Sequence, residues 1–443
     1  MASDDPRRRA RSVRSGQPSR SDAGSAGAGT GTGRRTGQDS SASRLAEARR
    51  VEERDAQRLG RFTGLRSLLN PLWCYHGFRA AVVVLTGFGV IMVFSSSTVS
   101  MVSAGRSPFS QAISQGMYCV MGLVVGVVFM CLPARMYRRF SFAVVLFAML
   151  LQLLTFTPLG VEVNGNAGWI GKRGVFTMQP AEVMKLALCI WLPAALHWAK
   201  KHSGKIGKLR AYAPLTVLYL LCLGFVMLGK DLGTAMIVLF IGFVAFLWED
   251  IQARSCGLCR LGIIGIVGLI AYSPNRLNRV LAAYQECSGT DAQKVCYQSI
   301  HAKYALAEGG LFGVGLGNSR EKWNYLPEAH NDFIFAIIGE ETGFIGAAIV
   351  IILFVVLGGC MISVALQTAD RYASVSLLCI TVWLVGQALI NIGVVVGVFP
   401  VMGVPMPFVS AGGSSLIMCL AAAGVAASLM RAQPQIKADS SRA

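Results

Sequence analysis

Apolar residues along this chain fall in blocks of roughly 17 to 25, each long enough to cross a bilayer as a helix, with short polar stretches between them. Ten blocks are predicted as spans, at about 80–100, 112–132, 140–158, 182–199, 211–229, 232–249, 257–273, 333–364, 375–398 and 415–430. The eighth is long and interrupted by glycine, so a tilted or broken helix is expected there. The predicted fold class is all-α: a polytopic membrane protein of about ten transmembrane helices. Residues 1–65 differ from the rest, being rich in Ser, Gly, Ala and Arg with almost no large apolar side chain. Such a stretch cannot bury enough surface to offset its ordering entropy, and it holds no short apolar core with a cleavage site. It is expected to be a disordered basic cytoplasmic tail, followed by a membrane domain over 66–432 and a short tail over 433–443.

Charge sets the sidedness. The segments ARMYRR (134–139), KKHSGKIGKLR (200–210) and EDIQARSCGLCR (249–260) carry three, five and two basic residues and alternate with poorly basic loops. Basic short loops stay inside. Both termini are therefore predicted cytoplasmic, and the 274–332 loop between the seventh and eighth helices extracytoplasmic. That loop holds six Lys/Arg residues, but long loops cross largely regardless of charge. The composition agrees, at 53% hydrophobic and 14% charged with a mean hydropathy of +0.53. A net charge of +18 suggests nucleic acid until its placement is read. Sixteen of 41 basic residues lie in 1–79 and most others in short loops, so no nucleic-acid partner is expected.

Ten of the twelve cysteines fall in spans or on the cytoplasmic side. Cys256 and Cys259 form a CxxC without a second pair to complete a zinc site. Cys287 and Cys296 share the external loop and are the disulfide candidates.

The unusual polar groups gather on the predicted outer face. GKDLGT (229–234) sets Lys230 and Asp231 at a helix entrance. NGNAGWIGKRGVFTMQPAEVMKL (164–186) reads as a polar loop leading to Glu182 and Lys185, which share one helix face at i and i+3. They suit either a buried pair that fixes packing or a polar floor under a substrate. The glycine run GGLFGVGLGNS (309–319) lacks the strand-turn-helix setting of a dinucleotide site. A turn offering N–H groups to an anionic headgroup is the milder reading. PVMGVPMPFVSAGGSS (400–415) reads as non-helical backbone walling a cavity, the one setting in which it is tolerated at membrane depth.

No Walker lysine motif or metal-ligand cluster is visible, so the reaction must draw on an activated substrate or an ion gradient. An activated substrate in a membrane, on the outer face, suggests a lipid-linked sugar diphosphate. Glycosyl transfer from it needs a base for the acceptor hydroxyl and positive charge for the departing diphosphate. Asp332 suits the first role, with an ordinary helix N-cap as its other reading. Arg276, Arg279, Lys322 or a divalent cation (Mg or Mn) suits the second. Glu340 and Glu341 lie deeper and are expected to serve the bundle.

QPAEVMKL, DLGT, the glycine run, YLPEAHNDFIFAIIGEETG and GVPMPFVSAGGSS, in that order over about residues 78–430, resemble the SEDS family (shape, elongation, division and sporulation), most of all its division branch as found in actinobacteria. The resemblance implies a peptidoglycan glycosyltransferase that polymerises lipid II at the outer face of the bacterial cytoplasmic membrane, at the division septum. It puts the essential acid on Asp332 and places Glu182, Lys185, Asp231 and Glu341 among the substrate-site positions. It also implies a class B penicillin-binding protein (an FtsI-like transpeptidase) and other divisome proteins as partners, docked on the seventh to ninth spans. Three positions depart from the family pattern: Gly229-Lys230, Ala411 and Gly168. A lipid II flippase and an elongation-type polymerase are the alternatives that the same spans and polar face suit.

Overall fold

The computed structural model describes residues 69–163, 166–172, 176–248, 296–323, 325–433 and 436. The tail over 1–65, most of 433–443 and the span expected at 257–273 lie outside them. The nine other expected spans each hold helix. In chain order these are α1 (Pro71–Ser103), α2 (Ser110–Cys131), α3 (Ala134–Leu154), α4 (Pro180–Ile206), α5 (Lys208–Leu228) and α6 (Leu232–Trp248). Then follow α7 (Tyr297–Gly309), α8 (Ile334–Gln367), α9 (Arg371–Thr381), α10 (Gln387–Val395) and α11 (Gly413–Arg431). A π turn at Val382–Gly386 joins α9 to α10 into one crossing.

Local chemistry sets the helix starts. Asn70 caps α1, its Oδ1 accepting from Leu72 N at 3.1 Å, with Pro71 at the first position. Asp370 caps α9 through Tyr372 N at 3.1 Å, and Pro180 opens α4. The helices then sort by burial. On α2 only Gln115 and Gly122 are buried, and its apolar surface faces outward, as lipid contact requires. On α4 nearly every residue from Pro180 to Pro193 is buried, Glu182 and Lys185 included. That helix runs through the centre of the bundle, packed on α3, α5, α6 and α9.

Without a hydrophobic force between helices in lipid, close backbone approach through small residues holds such bundles together. The α2–α11 pair shows it. A Cβ on Gly126 would stand 2.9 Å from Leu420 O, and one on Gly424 would collide with the Gly126 carbonyl.

Two details differ from the sequence reading. The polar loop before α4 is a three-stranded antiparallel meander, β1 (Gly160–Val163), β2 (Asn166–Lys172) and β3 (Phe176–Met178). Val161 pairs with Trp169, and Ile170 with Met178. Its glycines and short apolar pairs hide the alternation. The 274–332 loop contains α7, which packs on α8 through Ala302, Ala305 and Gly309.

The eighth span is broken, as its glycines suggested. Gly343, at φ 69° and ψ −171°, interrupts the 34-residue α8. The break is built around the glycine run. Val314 N and Gly315 N donate to Glu340 O and Glu341 O, and Phe344 N to Gly310 O. A Cβ on Gly313 or Gly343 would strike the backbone of the other segment. The amides of Gly313, Val314 and Gly315 bind protein carbonyls and so are not offered to a headgroup.

Candidate functional site

One end of the bundle collects the polar groups: the meander, Gly229–Asp231, residues 296–333, and the non-helical stretch between α10 and α11. This is the end that the charge pattern puts outside. Asp332 lies there, half-buried, in the turn just before α8. It does not cap that helix, because Phe333 occupies the cap position with no side-chain bond. Asn391 of α10 holds its carbonyl through Nδ2 at 2.7 Å. Its carboxylate faces Gly403, with Oδ2 3.5 Å from where a Cβ would stand. Burial pushes the Asp332 carboxyl up to about 7, and the negative charges of Glu328 and Asp231 push the same way.

Asp231 is fixed from two sides. Its Oδ1 accepts from Thr234 N at 3.0 Å, capping α6, and its Oδ2 accepts from Gln179 Nε2 at 2.5 Å. Glu328 sits at φ 58°, a strained value for a side chain of its size, and its Oε2 accepts from Asn331 Nδ2 at 2.5 Å. Neither Glu328 nor Gln179 stood out as a site residue in the sequence.

Beside this acidic group a cavity of about 220 Å³ opens between the end of α1, at Ser96 and Ser100, and the 326–330 segment, with Lys322 on its wall. Glu328 and His330 line it as well. Burial lowers the His330 pKa, opposed by the Glu328 charge, so His330 favours the neutral imidazole.

The two deeper acids have their answer in the loop. Glu340 accepts from Ser319 Oγ at 2.6 Å and Arg320 N at 2.5 Å. Glu341 pairs with Lys322 Nζ at 3.0 Å, both side chains almost fully buried, and accepts from Ser95 Oγ at 2.6 Å. They staple residues 319–322 and α1 to α8. Lys322 is thus both a cavity-wall cation and half of a structural pair.

Glu182 and Lys185 meet at 2.8 Å in the core. Lys185 Nζ also donates to Gln387 Oε1 at 2.8 Å and lies 5.1 Å from the Trp383 ring centroid. Both are 1% exposed, and neither lines the cavity. Cys296 is engaged in a disulfide, whereas the eight cysteines of the described helices are in none. Its expected partner Cys287 lies outside the described residues, as do Arg276 and Arg279. Two of the family departures adjoin one another: Gly168 Cα is 3.5 Å from the place a Cβ would take on Gly229. Gly168 N in turn bonds Asn166 Oδ1 at 2.8 Å.

A family model described as a cell cycle protein, FtsW/RodA/SpoVE, matches residues 76–435. The "Probable peptidoglycan glycosyltransferase FtsW" of Mycobacterium bovis is 33% identical over 368 residues, which cover 82% of this chain and 69% of that one. The rod shape determining protein RodA of Thermus thermophilus superposes with a TM-score of 0.58 at 25% identity, over 80% of this chain and 96% of that one. A chain of a peptidoglycan synthase complex, solved for its coordination of polymerization and crosslinking, superposes with a TM-score of 0.64 at 24% identity, covering 81% and 98%. At that identity the likeness speaks for the fold alone.

Proposed function

The chain belongs to the FtsW/RodA/SpoVE family of cell cycle proteins, and from that premise we propose that it is a peptidoglycan glycosyltransferase polymerising lipid II at the outer face of the membrane during division. The observation that carries this reading is a carboxyl poised near neutrality, Asp332, raised by burial and by Glu328 and Asp231, next to a cavity that Glu328, His330 and the cation Lys322 line. A base whose pKa lies near the working pH is the one best placed to take a hydroxyl proton.

In the proposed step the acceptor sugar hydroxyl attacks the donor's anomeric carbon while Asp332 takes its proton. The bond from that carbon to the lipid diphosphate breaks with inversion, and the electron pair leaves on the diphosphate. Lys322, with Arg276 and Arg279 from the external loop, meets the negative charge. Asp231 and Glu328 keep Asp332 basic enough to work, and Glu182, Lys185 and Glu341 hold the surrounding frame. A divalent cation at the diphosphate belongs to the proposal on chemical grounds. Among the described residues no three ligating side chains converge to build a cage for it, and no step is routed through it.

The flippase reading needs a polar path through both leaflets. Among the described residues the interior charges, Glu182 and Lys185, are paired and closed off, which favours the enzyme. The proposed partners are a class B penicillin-binding protein and other divisome proteins, and the proposed location is the septum. Purified chain given lipid II, with and without that transpeptidase, should make glycan strands visible on a gel. Lipid II that is moved between leaflets but never polymerised would favour the flippase. Membrane co-purification of the elongation transpeptidase in place of the division one would replace the division assignment.

A further inference from the structure

We propose that Ser410 and Asn391 are positioning residues for the base, acting through the backbone that carries it. The inference rests on the polymerase reading above. Residues 326–333 have no regular structure, so their buried carbonyls have no ladder partners and must be bonded individually. Three successive ones are. Ala411 N donates to His330 O at 2.9 Å, Ser410 Oγ to Asn331 O at 2.7 Å, and Asn391 Nδ2 to Asp332 O at 2.7 Å. Two of these donors belong to the non-helical stretch between α10 and α11.

The third donor locks onto the same stretch. Asn391 Nδ2 also donates to Val404 O at 2.7 Å, so both of its hydrogens are committed. Its Oδ1 is buried without a partner. A flipped amide would set that oxygen against two carbonyls, so the orientation is fixed. Ser410 is committed on both sides too, its Oγ accepting from Met406 N at 2.7 Å while it donates to Asn331. One turn before Asn391, Gln387 Nε2 donates to Pro405 O at 2.7 Å and its Oε1 accepts from Lys185. The buried Glu182–Lys185 pair therefore anchors the stretch that holds the base. Phe408, buried at φ 65°, shows that the frame is firm enough to keep a strained residue. Gly403, also in the stretch, lies against the Asp332 carboxylate itself.

A mere satisfier of backbone polarity would matter to folding alone; a positioning frame matters to the chemical step. The test is steady-state polymerisation of lipid II by the full chain with its transpeptidase, for Ser410→Ala, Asn391→Ala and Ser410→Thr, with detergent melting alongside. Displacing a reacting group by about 1 Å can lower a rate by about 10²-fold. Each alanine variant should lose about 10- to 100-fold in kcat while KM for lipid II stays within about threefold, because no cavity-wall side chain is altered. Ser410→Thr, which keeps the hydroxyl, should recover most of the rate. Either alanine variant matching the parent, or a loss confined to KM, would overturn the proposal. So would both variants melting far below the parent yet keeping full kcat at temperatures where they remain folded. A parent chain that itself makes no glycan would remove the polymerase reading, and the positioning role with it. A working parent with indifferent variants would remove the positioning role alone.

Discussion

Asp231→Asn isolates one contribution to the acidity of the base. Burial leads in raising Asp332 to about 7 from an ordinary 3.8, followed by Glu328 and then Asp231. Asn at 231 still accepts from Thr234 N and caps α6 as well as Asp does, and its amide keeps the Gln179 contact once that side chain turns its own oxygen toward it, so the change removes a charge at the cost of one amide flip. If Asp332 is the base, kcat/KM for the parent should rise with pH through about 7. At pH 6 only about a tenth of the carboxyl is ionised, and at pH 5 about a hundredth, against more than nine-tenths at pH 5 for an ordinary Asp. In Asp231→Asn that acidic limb should move to lower pH. The movement should be smaller than the roughly 1 to 3 units a charge within 4–6 Å brings, because burial is the larger cause. Stability gives a second reading of the same group. Its folded pKa lies above its unfolded one, so its contribution is full below about 3.8 and is lost as pH rises through about 7. The detergent melting temperature should therefore fall over that window in the parent and fall less in Asp332→Asn. Rates measured with lipid II from pH 5 to 8 are the assay. A flat profile, or a limb that stays in place in Asp231→Asn, would refute the electrostatic account.

Lys322→Met should lower the melting point sharply, since stranding one member of a buried pair costs about 3–5 kcal/mol. Lys322→Met/Glu341→Gln should recover most of that loss, and a single variant melting like the parent would mean the pair is dispensable. Gly343→Ala should destabilise the chain by about 1–3 kcal/mol or more, because Gly343 holds a backbone conformation nearly reserved for glycine and faces the Gly313 amide; a melting scan checks it. Non-reducing peptide mapping should recover Cys296 joined to Cys287, and finding both thiols alkylated in unreduced protein would contradict the pairing.

Long apolar blocks made the spans legible, and the glycine of EETGFIG marked the break in α8. The meander was hidden because Gly160, Gly168 and Gly171 dilute its alternation. The site was legible where a motif carries charge, as at Asp332, Asp231 and the Glu182–Lys185 pair. It was not legible where uncharged groups do the holding. Gln387 and Asn391 sit four apart in the otherwise apolar QALINIG, and two amides on one face of a span are costly unless bonded. That spacing was the available signal. Glu328 stands in YLPEAHND, but its strained backbone and its effect on Asp332 show only in three dimensions. Lys322 shows the converse, a cation expected at the substrate that also belongs to a buried staple.

In the proposed step Asp332 takes the acceptor's proton. Asp332→Asn keeps the size of the side chain and leaves the backbone bond from Asn391 to its carbonyl in place, but it cannot accept a proton as a carboxylate does. Polymerisation of lipid II by purified Asp332→Asn, compared with the parent at equal folded protein and equal transpeptidase, is the measurement. General-base catalysis contributes about 10²- to 10⁴-fold, so glycan synthesis should drop by that factor with melting and partner binding retained. A variant that polymerises at close to the parent rate would contradict the account.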